Sequence, residues 1–165
     1  MAVLIRKLKV INSEELGKNM KRITLQGNDL ADFPENQESG YVKMRFQKNL
    51  DHESTNTKKD YDLRSYTIRA FNLEKRELVL DFLLHGDSGP ASKWASSAQI
   101  GDSIEIAGPG PAILAADAAD WYLFVGDMTA LPAIAVNLEK LSSESKGIAL
   151  IEINSSEDKQ DLRKP

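Results

Sequence analysis

The sequence predicts a closed antiparallel β-barrel followed by the opening of an α/β domain, on three observations. Six short stretches with strand patterning and one helical turn precede Ala107, separated by turn-rich segments. A Gly108-Pro109-Gly110-Pro111 run then breaks the pattern. Beyond it, two continuous apolar runs flank a segment with helical spacing, the order of a parallel strand–helix–strand unit.

Residues 3–12 and 20–26 read as two strands joined by a polar turn at 14–17. Residues 28–39 form a loop with Pro34 and several acids, and 40–46 give a third strand on the alternation of Val42, Met44 and Phe46. The polar stretch 47–62 reads as a mobile loop. Two strands follow, one around 64–67 and one over 77–85, then a helical turn at 91–98 and a last strand at 103–106. Residues 107–111 are the expected boundary, because Gly-Pro pairs are not expected to continue a strand ladder. Residues 112–120 are alanine-rich and read as a linker or a loose helical turn. Residues 121–125 read as a parallel strand buried on both faces, 130–141 as a helix with Pro132 in its first turn, and 148–153 as a second strand.

The most informative stretch runs from Leu63 to Trp94. Side chains two apart on a strand share a face, so Arg64 and Tyr66 are expected to project together, with Ser65 and Thr67 opposite. A planar ring beside a guanidinium suits a ligand with a flat aromatic system and a phosphate. The plain alternative is an edge strand with a solvated arginine. Further on, Gly86 and Gly89 allow close backbone approach, and Pro90 fits the first turn of a helix whose N–H groups can face an anion. Together these features point to a dinucleotide with a flat ring.

Arg64-Ser65-Tyr66-Thr67 resembles the Arg-x-Tyr-Ser/Thr flavin motif of ferredoxin-reductase-like oxidoreductases. The run Asp81-Phe-Leu-Leu-His-Gly-Asp-Ser-Gly-Pro-Ala-Ser-Lys-Trp94, followed by Gly101-Asp102 and Ile106-Ala-Gly-Pro109, is similar to siderophore-interacting proteins. Gly126-Asp127-Met128-Thr129-Ala130-Leu131-Pro132-Ala133 looks like the corresponding segment of that family's NAD(P)H domain. The resemblance implies a six-stranded Greek-key FAD-binding barrel over 1–111 and the N-terminal part of a Rossmann-like NAD(P)H-binding domain over 112–165. It implies reduction of ferric siderophores, with electrons passing from NAD(P)H or ferredoxin through FAD. It also assigns roles. Arg64 would contact FAD phosphate or ribityl oxygens, Tyr66 would stack on the isoalloxazine, and Ser65 belongs to the same motif. Thr67 would bond near the redox-active edge, and Leu83, Leu84 and His85 would line the flavin through strand backbone. Gly89, Ala91 and Ser92 would hold the pyrophosphate, and Thr129 would face the nicotinamide. No residue need act as a general acid or base, since the chemistry belongs to the cofactor. Family members run on through a complete open sheet. This chain stops after the second strand, so the expectation is a fragment of a longer protein, with a partner-supplied half as the alternative.

Composition excludes several other classes. The chain has 165 residues, 41% hydrophobic and 28% charged, with net charge −4, and the sequence pI is about 5.3. That balance argues against bulk nucleic-acid binding. No apolar run approaches the ~20 residues of a bilayer span, and the N-terminus reads as a strand, not a signal peptide; a cytoplasmic protein is expected. With no cysteine and only His52 and His85, neither a disulfide nor a resident metal centre is expected. Histidine at 85, ending a strand beside a Gly turn, reads as a structural hydrogen-bonder more readily than as a proton donor, and the lysines at 43, 48, 58 and 59 as a solvated face. Two rival functions are a flavin reductase with another acceptor and a non-enzymatic barrel binding module.

Overall fold

The computed structural model describes residues 4–48, 60–86, 89–116 and 118–162. Six strands close into an antiparallel barrel: β1 (Ile5–Glu15), β2 (Met20–Gln26), β3 (Tyr41–Gln47), β4 (Tyr61–Asn72), β5 (Glu77–Leu83) and β6 (Ser103–Gly110). The order around the barrel is β1-β2-β5-β4-β3-β6, with β6 pairing to β1 to close the ring. Period-two alternation drives this closure. Leu8, Val10, Ile23, Leu25, Met44, Leu80 and Ile106 all point inward and are almost completely buried, each contributing roughly 1.5–3 kcal/mol. Most of the expected strands lie within a few residues of their places, but β4 is longer than the motif suggested. The expected mobile loop overlaps β3 and β4 at its ends; its residues 49–59 lie outside the described residues.

Helix α1 (Pro90–Ser97) plugs one end of the barrel. Ala91, Ala95 and Ala98 are buried, and Trp94 packs against Phe46 and Phe82 at ring-centroid distances of 6.3 and 5.7 Å. The ammonium of Lys21 donates to the Ala95 carbonyl at 2.9 Å, satisfying the C-terminal end of the helix.

The Gly-Pro run behaves differently from the expectation. Strand β6 continues through it: Ala107 pairs with Lys43 and Gly110 with Tyr41, across a register shift. Proline is tolerated in a ladder at such a bulge, where no N–H is needed. Gly108 has φ +134°, and the Gly108–Pro109 peptide is cis.

After the barrel come β7 (Tyr122–Gly126), α2 (Leu131–Lys140) and β8 (Gly147–Ile151), with β7 and β8 parallel. The expectation that the first of these strands is buried on both faces is not met. Leu123, Val125, Ile148 and Leu150 are each more than half exposed. Among the described residues α2 supplies a covering layer on one face only, and a parallel sheet needs one on each. Helix α2 also rests on the barrel through polar contacts. Arg69 on β4 forms a two-pronged pair with Glu139, and Lys140 meets Glu38 at 3.3 Å. The side-chain amide of Asn137 donates to Ser39 Oγ at 3.2 Å.

Past β8 a 3₁₀ turn, Ser156–Asp158, docks on the β1–β2 turn. The Asp158 carboxylate is fully buried and accepts from the Asn19 backbone at 2.6 Å and its side chain at 2.8 Å. Burial alone would raise this carboxyl, but the Asn19 and Lys18 hydrogen bonds outweigh it and hold it below its ordinary value. Gly17, at φ +144°, allows the close approach: a Cβ there would lie 2.7 Å from the Glu157 carbonyl oxygen.

Candidate functional site

The site originates in a parting of two strands. The β4–β5 ladder runs from Asn72↔Glu77 to Ile68↔Leu80 and ends there. Beyond that point residues 61–67 of β4 pair only with β3, and residues 81–83 of β5 only with β2. The gap between the diverging edges is a slot of about 180 Å³, lined by Arg64, Ser65, Tyr66, Thr67, Asp81, Leu83 and His85. Met128, Thr129 and Pro132, at the start of α2, form its other wall. The sequence expectation split Arg64/Tyr66 from Ser65/Thr67 by strand face. All four meet the slot because it lies at the open edge of the strand, where both faces contribute.

Each predicted residue has a definite place. The Tyr66 ring is backed by Phe82, centroids 4.3 Å apart at 35°, so its position is fixed by packing. Burial raises the Tyr66 phenol above its ordinary value, against the opposing effect of the Arg64 guanidinium, so it stays neutral at physiological pH. Arg64 is exposed and donates to the Leu63 carbonyl at 2.9 Å. Whereas Arg6, Arg22, Arg45 and Arg69 each pair with a carboxylate, Arg64 makes no ion pair among the described residues. Its charge is available to a phosphate.

His85, Ser92 and Leu84 shape the loop after β5. The His85 N–H donates to Ser92 Oγ at 3.1 Å, and the Ser92 hydroxyl donates to the Gly86 carbonyl at 2.9 Å. The buried Ser92 hydroxyl thus holds the turn. Gly86 needs its φ of +74°, and a Cβ there or at Gly89 would meet at most the His85 ring, 3.8 Å away; the loop borders open space. Leu84 does not line the slot. It is half-buried against the core, and its N–H donates to the Asn19 carbonyl at 2.7 Å. Gly89 and Ala91 sit at the N-terminal end of α1, next to the slot in sequence but outside its lining.

Sequence reasoning missed two features of the site. The first is Asp81, a carboxylate only 3% exposed. It receives a bidentate pair from Arg22 at 2.7 and 2.8 Å and lies 3.9 Å from Arg69 Nε. The ladder shifts register around Arg69, between Ile68 and Ala70, and that bulge aims Arg69 at both Asp81 and Glu139. Two guanidiniums neutralise the carboxylate, so it presents no net negative charge to a phosphorylated ligand.

The second is Asp127. Its Oδ1 accepts from Thr129 N–H at 2.8 Å, Thr129 Oγ1 at 2.6 Å and Ala130 N–H at 3.1 Å. The bond from the Thr129 hydroxyl, with the Ala130 and Thr129 amides, holds the Asp127 carboxyl below its ordinary value. Thr129 therefore spends its proton on Asp127 and offers lone pairs to anything else. Asp at this strand-to-helix corner is a turn signal in the sequence, since its short carboxylate can accept from backbone N–H groups two and three residues on.

These shifts carry a sign. Asp127 and Asp158 are both depressed in the fold, so their stabilisation is complete above the ordinary carboxylate pKa near 4 and is lost as pH falls through the lower folded values. Protection against hydrogen exchange at the start of α2 and at the β1–β2 turn is expected to fall as pH drops below the ordinary carboxylate value near 4, while Asp127→Asn should flatten the change at α2. Unchanged protection there as pH falls would contradict the carboxylate's role in holding the turn.

Residues 9–113 match the siderophore-interacting FAD-binding domain, and residues 119–165 match the siderophore-interacting protein family. Ferric vibriobactin reductase ViuB of Vibrio cholerae is 34% identical over 170 residues, covering 97% of this chain and 63% of that protein. An NADPH-dependent ferric-chelate reductase of Escherichia coli is 30% identical over 147 residues, covering 83% of this chain and 57% of its own length. The crystal structure of the siderophore-interacting protein SipS from Aeromonas hydrophila superposes with a TM-score of 0.85 at 36% identity, covering 99% of this chain and 64% of that one. The chain spans less than two thirds of the length of these relatives.

Proposed function

Because this chain belongs to the siderophore-interacting protein family, matching its FAD-binding domain over residues 9–113, we propose that it forms the flavin-binding part of a cytoplasmic ferric-siderophore reductase. The observation that carries the reading is the slot between β4 and β5, which brings Arg64 to Thr67 together with Leu83, His85 and Thr129. The residues fit FAD. Tyr66 gives a packed aromatic platform, Arg64 a guanidinium with no ion pair among the described residues, and the parted strand edges give backbone donors and acceptors for the polar rim of a flat ring.

Arg64 holds phosphate or ribityl oxygens, and the backbone N–H groups of Ala91 and Ser92, with Gly89 allowing close approach, hold the pyrophosphate. Tyr66 would orient the ring, and the Thr67 hydroxyl would hydrogen-bond near its redox-active edge. Leu83 and His85 border the ring through their backbone. Met128 and Pro132 wall off water, and Thr129 accepts from the nicotinamide side. FAD, when bound, takes electrons in pairs and passes them on singly, matching an NAD(P)H or ferredoxin donor to a ferric acceptor. The acceptor is substrate: iron reduced to the ferrous state binds a siderophore's hard oxygens less tightly and is released.

The test uses the 165-residue chain loaded with FAD and reduced chemically, mixed with ferric siderophores, free FMN or a generic dye in stopped flow. Reoxidation at least tenfold faster with ferric siderophores supports the reading. Equal rates would make it a general flavin reductase. A chain that takes up no FAD would return the barrel to the class of binding modules.

A further inference from the structure

The joint between the strand–helix–strand unit and the barrel is polar. The barrel's apolar core draws on all six strands and α1 and includes none of the buried residues of α2. Helix α2 meets the barrel instead through the side chains of its last turn. Asn137 donates to Ser39 Oγ at 3.2 Å and to the Ile113 carbonyl at 3.4 Å, and Lys140 pairs with Glu38 at 3.3 Å. Beside these contacts a cavity of about 750 Å³ separates the two bodies, with Arg22, Arg69, Ala135 and Glu139 in its lining. A polar joint of this kind leaves the angle between two units to a few directional contacts.

The most directional is the pair between Arg69 and Glu139. Arg69 Nη1 and Nη2 donate to the two Glu139 oxygens at 2.9 and 2.5 Å, while Nε lies 3.9 Å from Asp81. A guanidinium is planar and rigid, so engaging two of its edges fixes its orientation. Asp81 is itself held by Arg22 at 2.7 and 2.8 Å, which anchors the barrel side of the clasp. The clasp also has a second resting state. An Arg69 released from Glu139 keeps Asp81 within reach, so opening strands no charge on the barrel, and the 30% exposed Glu139 returns to water.

Glu139 lies two helical turns from Pro132, about 10–11 Å along the axis. Pro132, with Met128 and Thr129 just ahead of the helix, forms the far wall of the slot. A helix is stiff over that length, so an anchor in its last turn sets where its first turn points. A tilt of about 10° at the Glu139 end would carry Pro132 roughly 2 Å, enough to part that wall from the strand edges.

We propose that Glu139 is a positioning residue: its two-pronged pair with Arg69, braced on Asp81, fixes α2 at the angle that sets Met128, Thr129 and Pro132 against the slot. The positioning role rests on the flavin reading above; the clasp between the two bodies does not.

The chain has no cysteine, so two spin labels can be placed without background. Lys75→Cys on the exposed β4–β5 turn and Ser143→Cys, exposed beyond α2, report the distance between barrel and unit by double electron–electron resonance. The distribution is expected to be single and narrow with Glu139 in place and broad in Glu139→Gln. Glu139→Asp, which keeps the charge, should restore most of the narrow peak. Lys140→Gln breaks an exposed pair and should leave the distances unchanged. In the FAD-loaded chain, acrylamide quenching of flavin fluorescence should rise about twofold or more in Glu139→Gln as water reaches the ring. The thermal midpoint should stay within about 3 °C, because Arg69 keeps Asp81. Should Glu139→Gln fail to fold, Arg69→Lys keeps the charge, loses the fork and is expected to show the same broadening and quenching. A narrow distribution with unchanged quenching would overturn the proposal. A lowered thermal midpoint with unchanged quenching would overturn it too, as the mark of a purely structural pair. Distances are read without flavin as well, so a wild-type chain that binds no FAD would remove the flavin reading while the distances still decide the clasp.

Discussion

Arg64→Ala is expected to raise the FAD dissociation constant by about 10- to 150-fold, the equivalent of the 1.5–3 kcal/mol that a charged hydrogen bond contributes. The magnitude follows from the arginine's circumstances. It has no carboxylate partner among the described residues to release, so its removal leaves no protein charge stranded and the whole loss falls on the ligand. Stability should barely change, because Arg64 is exposed. Lys75→Ala, on the exposed β4–β5 turn, is the matched loss of a cation and should leave FAD affinity within about twofold. Arg64→Lys restores charge without the guanidinium fork and should recover only part of the affinity. Fluorescence titration of released and rebound FAD measures all three. Equal FAD affinity in Arg64→Ala and Lys75→Ala would remove the guanidinium from the flavin site.

Arg22→Met should be the most damaging single change to the fold among the charged residues of the barrel. It strips the bidentate partner from Asp81 and leaves a 3% exposed carboxylate whose remaining ion-pair partner among the described residues is Arg69 Nε at 3.9 Å. Breaking such a buried pair costs about 3–5 kcal/mol, and urea denaturation should show the midpoint falling accordingly. The double variant Arg22→Met, Asp81→Leu removes both charges and is expected to recover most of the loss, since the penalty comes from the stranded carboxylate. Double-variant stability no better than Arg22→Met alone would mean that the arginine acts through packing of its stem.

Much of the fold was legible in the residues. Alternation at Val42, Met44 and Phe46 gave a strand and its inward face, since a period of two admits one buried face. Proline at the first turn marked both helices, at Pro90 and Pro132. The linear motif 64–67 carried most of the slot's near wall because four consecutive residues suffice to build a strand edge. Gly108 and Pro109 misled because the ability of a ladder to absorb a proline depends on a bulge, set by the register of the opposite strand.

The sequence by itself determined the strands, the helix starts and the short motif, because these depend on neighbours within a few residues. Only the tertiary structure decided where the ladder between β4 and β5 ends, and that ending makes the slot. It also decided that Asp81, reading as one polar residue in an apolar run, meets Arg22 from 59 positions away. The stack of Arg45 on Tyr61 was equally hidden, since it depends on Gln47↔Tyr61 register across a hairpin. Burial of Tyr122 with exposure of Leu123 and Val125 was decided by which layers cover β7. The physical reason is the same in each case. Periodicity says which way a side chain points, but pairing register and layer packing decide what it meets.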